Sequence, residues 1–377
     1  MSAPRPPQTQ EEWRDWLRLA RSQNVGPVAF QRLLARYGSA AAALEAAPHL
    51  AARGGRRISL APRGAAEAEL EAGAKLGARP LALGGPDYPP LLAHIPDPPP
   101  FLWLRGRPEL PGRRALAVVG TRNASALGMR FTQGLARALS EAGFVIVSGM
   151  AEGIDRAAHA GGLEGGTLAV LGGGPDDVYP RRNADVYAKL IDQGAVLSEA
   201  PPGFRARAQD FPRRNRIVSG ICLGTIVTEA AERSGSLITA RLAAEQGREV
   251  MAAPGAPLDG RAAGCNHLIR EGATLIRHAA DVLEALEGIG GPQAPSPLPA
   301  SPSFMEEPGE EQPPEDAPEG EDARSAVLRL LGPVPVEMDE IRRRTGLPPG
   351  VLALAALELE LAGRLLRSAG DRVALAP

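Results

Sequence analysis

Ala115-Leu116-Ala117-Val118-Val119-Gly120-Thr121-Arg122-Asn123 and Phe144-Val145-Ile146-Val147-Ser148-Gly149, separated by the helical stretch Met129–Glu141, decide the fold. The opening of each run is apolar at every position. Both faces of such a strand must be covered, which marks the interior of a parallel sheet. A glycine or small polar residue follows at once, and then a helix. The unit repeats: Thr167–Leu171, Ala195–Leu197, Thr225–Thr228, Glu249–Ala252 and Ala273–Ile276 read as further strands, with Leu237–Gln246 as another helix. Residues 113–288 therefore read as an α/β domain, a Rossmann-like parallel sheet with helices on both faces.

The turns after these strands hold the polar chemistry. Gly120-Thr121-Arg122-Asn123 follows the first and Ser148-Gly149-Met150-Ala151-Glu152-Gly153-Ile154-Asp155 the second, with His159 beyond it. Gly172-Gly173-Gly174, Ser198-Glu199, Glu229 with Ser234-Gly235-Ser236, and Pro254-Gly255 follow later strands. In an open parallel sheet ligands bind at this carboxyl edge. The first turn resembles a phosphate cradle, with Asn123 or Ser125 able to cap a helix whose N-terminus attracts anions. It is neither a dinucleotide fingerprint nor a Walker loop, so NAD, FAD and ATP are disfavoured and no cofactor is expected.

Charge has to be read locally. The chain has 377 residues, 42 Lys+Arg and 44 Asp+Glu, a net of −2. Residues 289–322 contain nine acidic side chains, nine prolines and no Lys or Arg, the composition of a disordered linker. Setting those acids aside leaves 42 basic against 35 acidic groups, a net of +7. Only two of the basic residues are Lys (Lys75 and Lys189), so an Arg excess by itself says little. The segment Arg181–Arg216 says more: eight basic residues stand against four acids, interleaved with Tyr179, Tyr187, Phe204 and Phe211. Guanidinium groups beside flat rings suit single-stranded nucleic acid, where phosphates need charge and splayed bases need stacking partners. A solvated Arg face over core aromatics has the same composition.

The flanks complete the organisation. Residues 1–75 read as a small helical domain of SAM or helix-hairpin-helix type, with Val25-Gly26-Pro27 and Tyr37-Gly38-Ser39 as its turns. Such a hairpin serves DNA backbones or plain helix packing. Residues 76–112 read as an extended Pro-rich connector containing a short strand. Residues 323–377 read as a winged helix: helices at Ala323–Leu331, Val336–Thr345 and Pro348–Leu361, then a hairpin of Leu365–Ser368 and Arg372–Leu375. Its helix 336–345 ends in three arginines but also bears Asp339 and Glu340, which favours a protein-interaction role over DNA reading.

Catalysis is poorly supplied. The five His residues stand in no metal-ligand spacing with each other or with Cys222 and Cys265, and Ser148-Gly149 lacks the nucleophile-elbow pattern. Asp155 and His159 lie one helical turn apart and could bond. Two cysteines do not make a disulfide framework, no apolar run approaches 18 residues, and no secretory leader is evident, so a cytoplasmic protein is the default.

Taken in order, Val118–Arg122, Ser148–Asp155 with Ala158-His159, Leu171–Gly174 through Tyr179-Pro180-Arg181-Arg182-Asn183, Ser198-Glu199, Phe211–Ile217, Glu229-Ala230, Ser234–Ala240, Gly247-Arg248, Pro254-Gly255 and Gly264-Cys265-Asn266 resemble the bacterial DNA-processing DprA/Smf family. The resemblance implies an extended Rossmann-like domain that dimerises and binds single-stranded DNA without sequence preference. It also implies protection of incoming transforming DNA, its delivery to the RecA recombinase, and single-strand-binding protein as a further partner. Arg122, Arg181, Asn183 and Arg216 match positions lining that family's strand-binding pocket, with backbone donors near Gly120, Thr121 and Gly149. The matched motifs add Ser148, Met150, Gly153, Phe211, Asn215, Ser234, Gly235 and Ser236 as candidate DNA-binding residues. Thr121 stands where the family usually has Ser, and Met150 where Leu is common. The rival class is an enzyme, a Rossmann-type nucleotide hydrolase using Glu229 after Gly224-Thr225. A scaffold that recruits proteins and ignores DNA is a third.

Overall fold

The computed structural model describes residues 4–287, 320–368 and 370–376. They divide into two compact units: the described parts of Glu67–Pro292, and those of Met1–Ala66 together with Gln293–Pro377. The acidic linker expectation falls almost wholly outside the described residues.

The chain opens with α1 (Gln10–Arg21), α2 (Pro27–Tyr37), α3 (Ala40–Arg53) and α4 (Arg63–Lys75). Local chemistry sets their ends. Thr9 and Glu12 form a reciprocal capping box on α1, Pro27 starts α2, and Gly38 closes it at φ +77. Trp16 packs edge-on against Phe30, centroids 4.9 Å apart.

Nine strands then build one sheet: β1 (Arg79–Ala82), β2 (Phe101–Gly106), β3 (Ala115–Val119), β4 (Val145–Ser148), β5 (Thr167–Leu171), β6 (Ala195–Ser198), β7 (Gly224–Val227), β8 (Glu249–Ala252) and β9 (Thr274–Leu275). Their order is β1-β2-β6-β5-β4-β3-β7-β8-β9. Strands β3 to β9 are parallel, with Leu116 opposite both Ile146 and Gly224. The intervening helices are α5 (Ala126–Glu141), α6 (Ile154–Gly162), α7 (Ala184–Gln193), α8 (Asp210–Gly220), α9 (Gly235–Glu245), α10 (Ala263–Arg270) and α11 (Ala279–Ala285). The Rossmann-like reading stands. The chain builds β3 to β6 outward in one direction and β7 to β9 in the other, so the topological switch lies between β3 and β7.

The segment 76–112 is not a mere connector. β1 pairs antiparallel with β2, and β2 antiparallel with β6, extending the sheet. Phe101, Leu102, Trp103 and Leu104 are all buried, and the Trp103 indole donates to Glu69 Oε1 of α4 at 3.1 Å. Four successive buried apolar residues are a central-strand signature; the short strand expected in this segment is β2, and the prolines on its flank disguise its place in the sheet.

The C-terminal part comprises α12 (Gly320–Leu330), β10 (Val336–Glu337), α13 (Met338–Thr345), α14 (Pro349–Leu361), β11 (Leu365–Ser368) and β12 (Arg372–Leu375). The stretch expected as one helix from Val336 begins as a strand, because Val336 pairs with Val373 and makes a three-stranded wing. The order is that of a winged helix. Among the described residues no helix is long and apolar enough to cross a membrane, and no cluster of three His, Cys, Asp or Glu could hold a metal.

Candidate nucleic-acid interface

The carboxyl ends of β3, β4 and β5 meet at a pocket of about 160 Å³ lined by Arg122, Gly149, Ala151, Glu152, Tyr179, Pro180, Phe211 and Arg214. The β3 turn supplies Arg122, the β4 turn Gly149 to Glu152, the β5 loop Tyr179 and Pro180, and α8 the last two. The Arg122 guanidinium lies over the Phe211 ring at 5.5 Å from its centroid. Tyr179, 49% exposed, packs against the same ring at 5.5 Å with the planes 34° apart. A cation and two rings therefore converge on one opening, the combination that stacks a base and holds a phosphate.

Arg214 forms the buried side of the pocket. Its Nη1 donates to the Gly149 carbonyl at 2.8 Å and also to the Val170 carbonyl, while its Nε has no hydrogen-bond partner. Burial pulls its pKa down to about 10, so it stays cationic at neutral pH. The partly compensating carboxylate is Asp155. Asp155 Oδ2 accepts from the Gly149 and Ala151 amides, both at 3.1 Å, and burial raises its pKa against the lowering influence of Arg214.

These bonds shape the β4 turn. Met150 holds a left-handed backbone at φ +61, strained for a non-glycine residue and sustained only where surroundings over-determine it. Asn183 completes the constraint: its Nδ2 donates to the Met150 and Ala151 carbonyls at 2.9 and 3.1 Å, and its Oδ1 accepts from Arg156 at 3.0 Å. Gly153, at φ +73, sits where a Cβ would fall 2.5 Å from the Thr121 carbonyl oxygen. Only glycine lets the β3 and β4 turns approach this closely.

The expected residues thus separate by role. Arg122, Gly149 and Phe211 line the pocket. Arg181 is exposed and follows Pro180 directly. Gly120, Thr121, Ser148, Met150, Gly153 and Asn183 build the loops beneath it; Ser148 Oγ, for example, is buried and donates to the Val118 carbonyl at 2.7 Å. Arg216 stands apart from the group expected for it. Its side chain is 7% exposed, bonded to both Glu199 oxygens at 2.8 and 2.9 Å and paired with Asp97 at 3.2 Å. Its charge is already used. Asn215 is half-buried on α8 away from the lining, and Ser234, Gly235 and Ser236 form the N-terminal cap and first turn of α9, with Ser234 accepting from the Ser236 amide. Arg214, Glu152, Ala151 and Pro180 line the pocket without being named as site candidates from the sequence, and Tyr179 entered that reading only as a ring of the Arg-aromatic segment. Two of them stand in or beside the Arg-aromatic segment that carried the signal.

Two further expectations need correction. The α5 N-terminus is not an open anion site, because Glu229 occupies it: Glu229 accepts from the Ser125 amide at 2.8 Å and its hydroxyl at 2.5 Å, and its carbonyl from Thr121 N at 2.7 Å. The crevice at the topological switch is thereby filled, and the pocket lies beside it toward β4 and β5. Asp155 and His159 do not bond either. His159 Nδ1 meets Thr167 Oγ1 at 2.8 Å, and burial lowers its pKa to about 3.

The family model described as DNA recombination-mediator protein A matches residues 79–287, the DprA-like N-terminal HHH domain matches 10–72, and the DprA winged helix domain matches 311–371. Protein Smf of Escherichia coli is 39% identical over 296 residues, 76% of this chain and 75% of that one. Among solved structures, DNA processing protein A from Streptococcus pneumoniae matches at TM-score 0.61 and 31% identity, covering 74% of this chain and 98% of that one. DNA processing protein A from Helicobacter pylori, whose structure concerns its single-stranded DNA binding mode, matches at TM-score 0.52 and 28% identity, covering 57% and 97%.

Proposed function

The chain belongs to the DNA recombination-mediator protein A family, and from that membership we propose that it binds single-stranded DNA at the Arg122–Phe211–Tyr179 pocket. The carrying observation is the seating of an exposed guanidinium and two rings over the buried Arg214 at the carboxyl edge of the sheet. One nucleotide base enters against the rings, and the flanking phosphates take Arg122 and Arg181. Backbone and ring contacts of this kind are indifferent to sequence. The protein acts as a recombination mediator in the cytoplasm, as a homodimer through the Rossmann-like domain, protecting incoming DNA and passing it to RecA, with single-strand-binding protein as a further partner. The hydrolase reading gains no support from Glu229, whose carboxylate is committed to Ser125.

Fluorescence anisotropy with labelled single-stranded and duplex oligonucleotides of mixed sequence tests this reading. It expects tight, salt-sensitive binding to single strands of any composition and weaker binding to duplex. Equal affinity for the two, or none for either, would sink it. A pull-down of RecA on protein-coated DNA tests the delivery step.

A further inference from the structure

Helix α14 is apolar all round, and a helix of that kind is buried on more than one face. Leu352, Ala355, Ala356 and Leu359 belong to the winged-helix core with Leu365 and Val373. Leu354, Leu357, Glu358 and Leu361 recur at the same helical spacing on the other side. Leu357, Glu358 and Leu361 are 3%, 1% and 0% exposed. What covers them is α2 and α3. Asn24, just before α2, donates from Nδ2 to the Leu361 carbonyl at 3.1 Å. Arg53 at the end of α3 brings Nε to 3.1 Å from Glu358 Oε1, while Arg324 of α12 holds the other oxygen at 2.7 Å. One buried carboxylate thus takes a cation from each end of the chain. The backbones touch: a Cβ on Gly54 would stand 2.1 Å from the Glu358 carbonyl oxygen.

In a helix-turn-helix reader, the second helix of the pair enters the DNA groove. Here α13 and α14 form that pair, and α14 has Glu358 and Glu360 as its only charged residues. Acidic groups on a groove-facing helix oppose the phosphates that dominate binding. We propose that the second face of α14 is a protein-docking face committed to this chain's own α2 and α3, so that the winged helix works as a partner of the N-terminal helices and not as a DNA reader.

Hydrogen exchange on the full chain tests this. Gly54 has φ −71, so Gly54→Leu suits the α3 terminus itself and acts only by blocking α14. Amides of residues 354–362 and of the end of α3 should exchange faster by about tenfold or more, with the nine-stranded sheet unchanged. The isosteric Glu358→Gln variant should show the same pattern more weakly. Unchanged exchange in Gly54→Leu would overturn the docking. Should that variant lose the winged-helix core as well, the wild-type chain decides. Saturating duplex oligonucleotide is expected to leave α14 protection unchanged, and a shift there would overturn the proposal. So would tenfold tighter duplex binding by Gly54→Leu, since it would reveal a masked reader.

Discussion

Arg122→Ala isolates the charge that the pocket presents to solvent. Arg122 is exposed, and among the described residues no carboxylate lies within ion-pair distance of it, whereas Arg182, Arg205 and Arg213 are paired with Glu152, Asp177 and Glu199. Its positive charge is therefore available to a phosphate without breaking a prior bond. One phosphate contact on a single strand contributes about 0.7 to the slope of log affinity against log salt. The variant should lose that increment, so its deficit relative to wild type shrinks by a factor of about 2.6 between roughly 50 and 200 mM salt. A hydrogen bond to a charged group is worth about 1.5–3 kcal/mol, or about 10- to 150-fold in affinity, and the exposure of Arg122 places it at the low end. Anisotropy titrations of a labelled single-stranded oligonucleotide across the salt series measure both numbers. Arg205→Ala, which removes a cation already held by Asp177 at 3.0 Å, is the matched control and should change the slope less. An Arg122→Ala protein with wild-type slope and affinity within twofold would refute the assignment of the pocket.

Phe211→Ala should weaken single-strand binding by about 1–3 kcal/mol with the salt slope retained, because stacking is lost and charge is not; a changed slope with little loss of affinity would contradict the stacking role. Asn183→Ala leaves the Met150 and Ala151 carbonyls without their donor in a buried site and should cost about 2–4 kcal/mol in denaturant unfolding, with under 1 kcal/mol counting against its place in the loop. His159 is held neutral by burial, with a folded pKa of about 3 against an ordinary 6.5. Between those values the unfolded state binds more protons, so stability present above pH 6.5 falls as pH drops toward 3, by up to about 1.4 kcal/mol per pH unit from this group. The wild-type and His159→Gln stability curves should therefore converge on acidification; parallel curves would disprove the linkage.

The sheet was legible because its strands are apolar on both faces. Each strand from β3 to β9 lies within one or two residues of the apolar run that announced it. The short strand β2 was expected, but Pro98–Pro100 concealed that it joins the sheet with β1 beside it, and β10 was concealed by a helical pattern that a cross-strand pairing overrode at Val336. The site was half legible. Gly-rich turns after strands and the Arg-aromatic segment pointed to the edge of the sheet where the candidate pocket opens. Which arginine there is available did not follow from residue type. Arg122, Arg214 and Arg216 are identical in chemistry, yet one is exposed over a ring, one is buried under the Gly149 backbone, and one is bound to Glu199 and Asp97.

The amino-acid sequence alone determined the order of the three modules, the parallel sheet, the polar edge and the family, since periodicity, turn chemistry and ordered motifs are local properties of the chain. Tertiary structure alone decided that Glu229 fills the crevice at the topological switch. It also decided that Asn183 and Asp155 hold a strained turn, and that α14 faces α2 and α3. Those outcomes depend on distances between residues far apart in the chain. The carboxylate of Glu229 closes a helix terminus 104 positions away, and Glu358 takes its second cation from Arg53. A charge's availability is settled by which opposite charge folding brings beside it, and one-dimensional spacing does not record that.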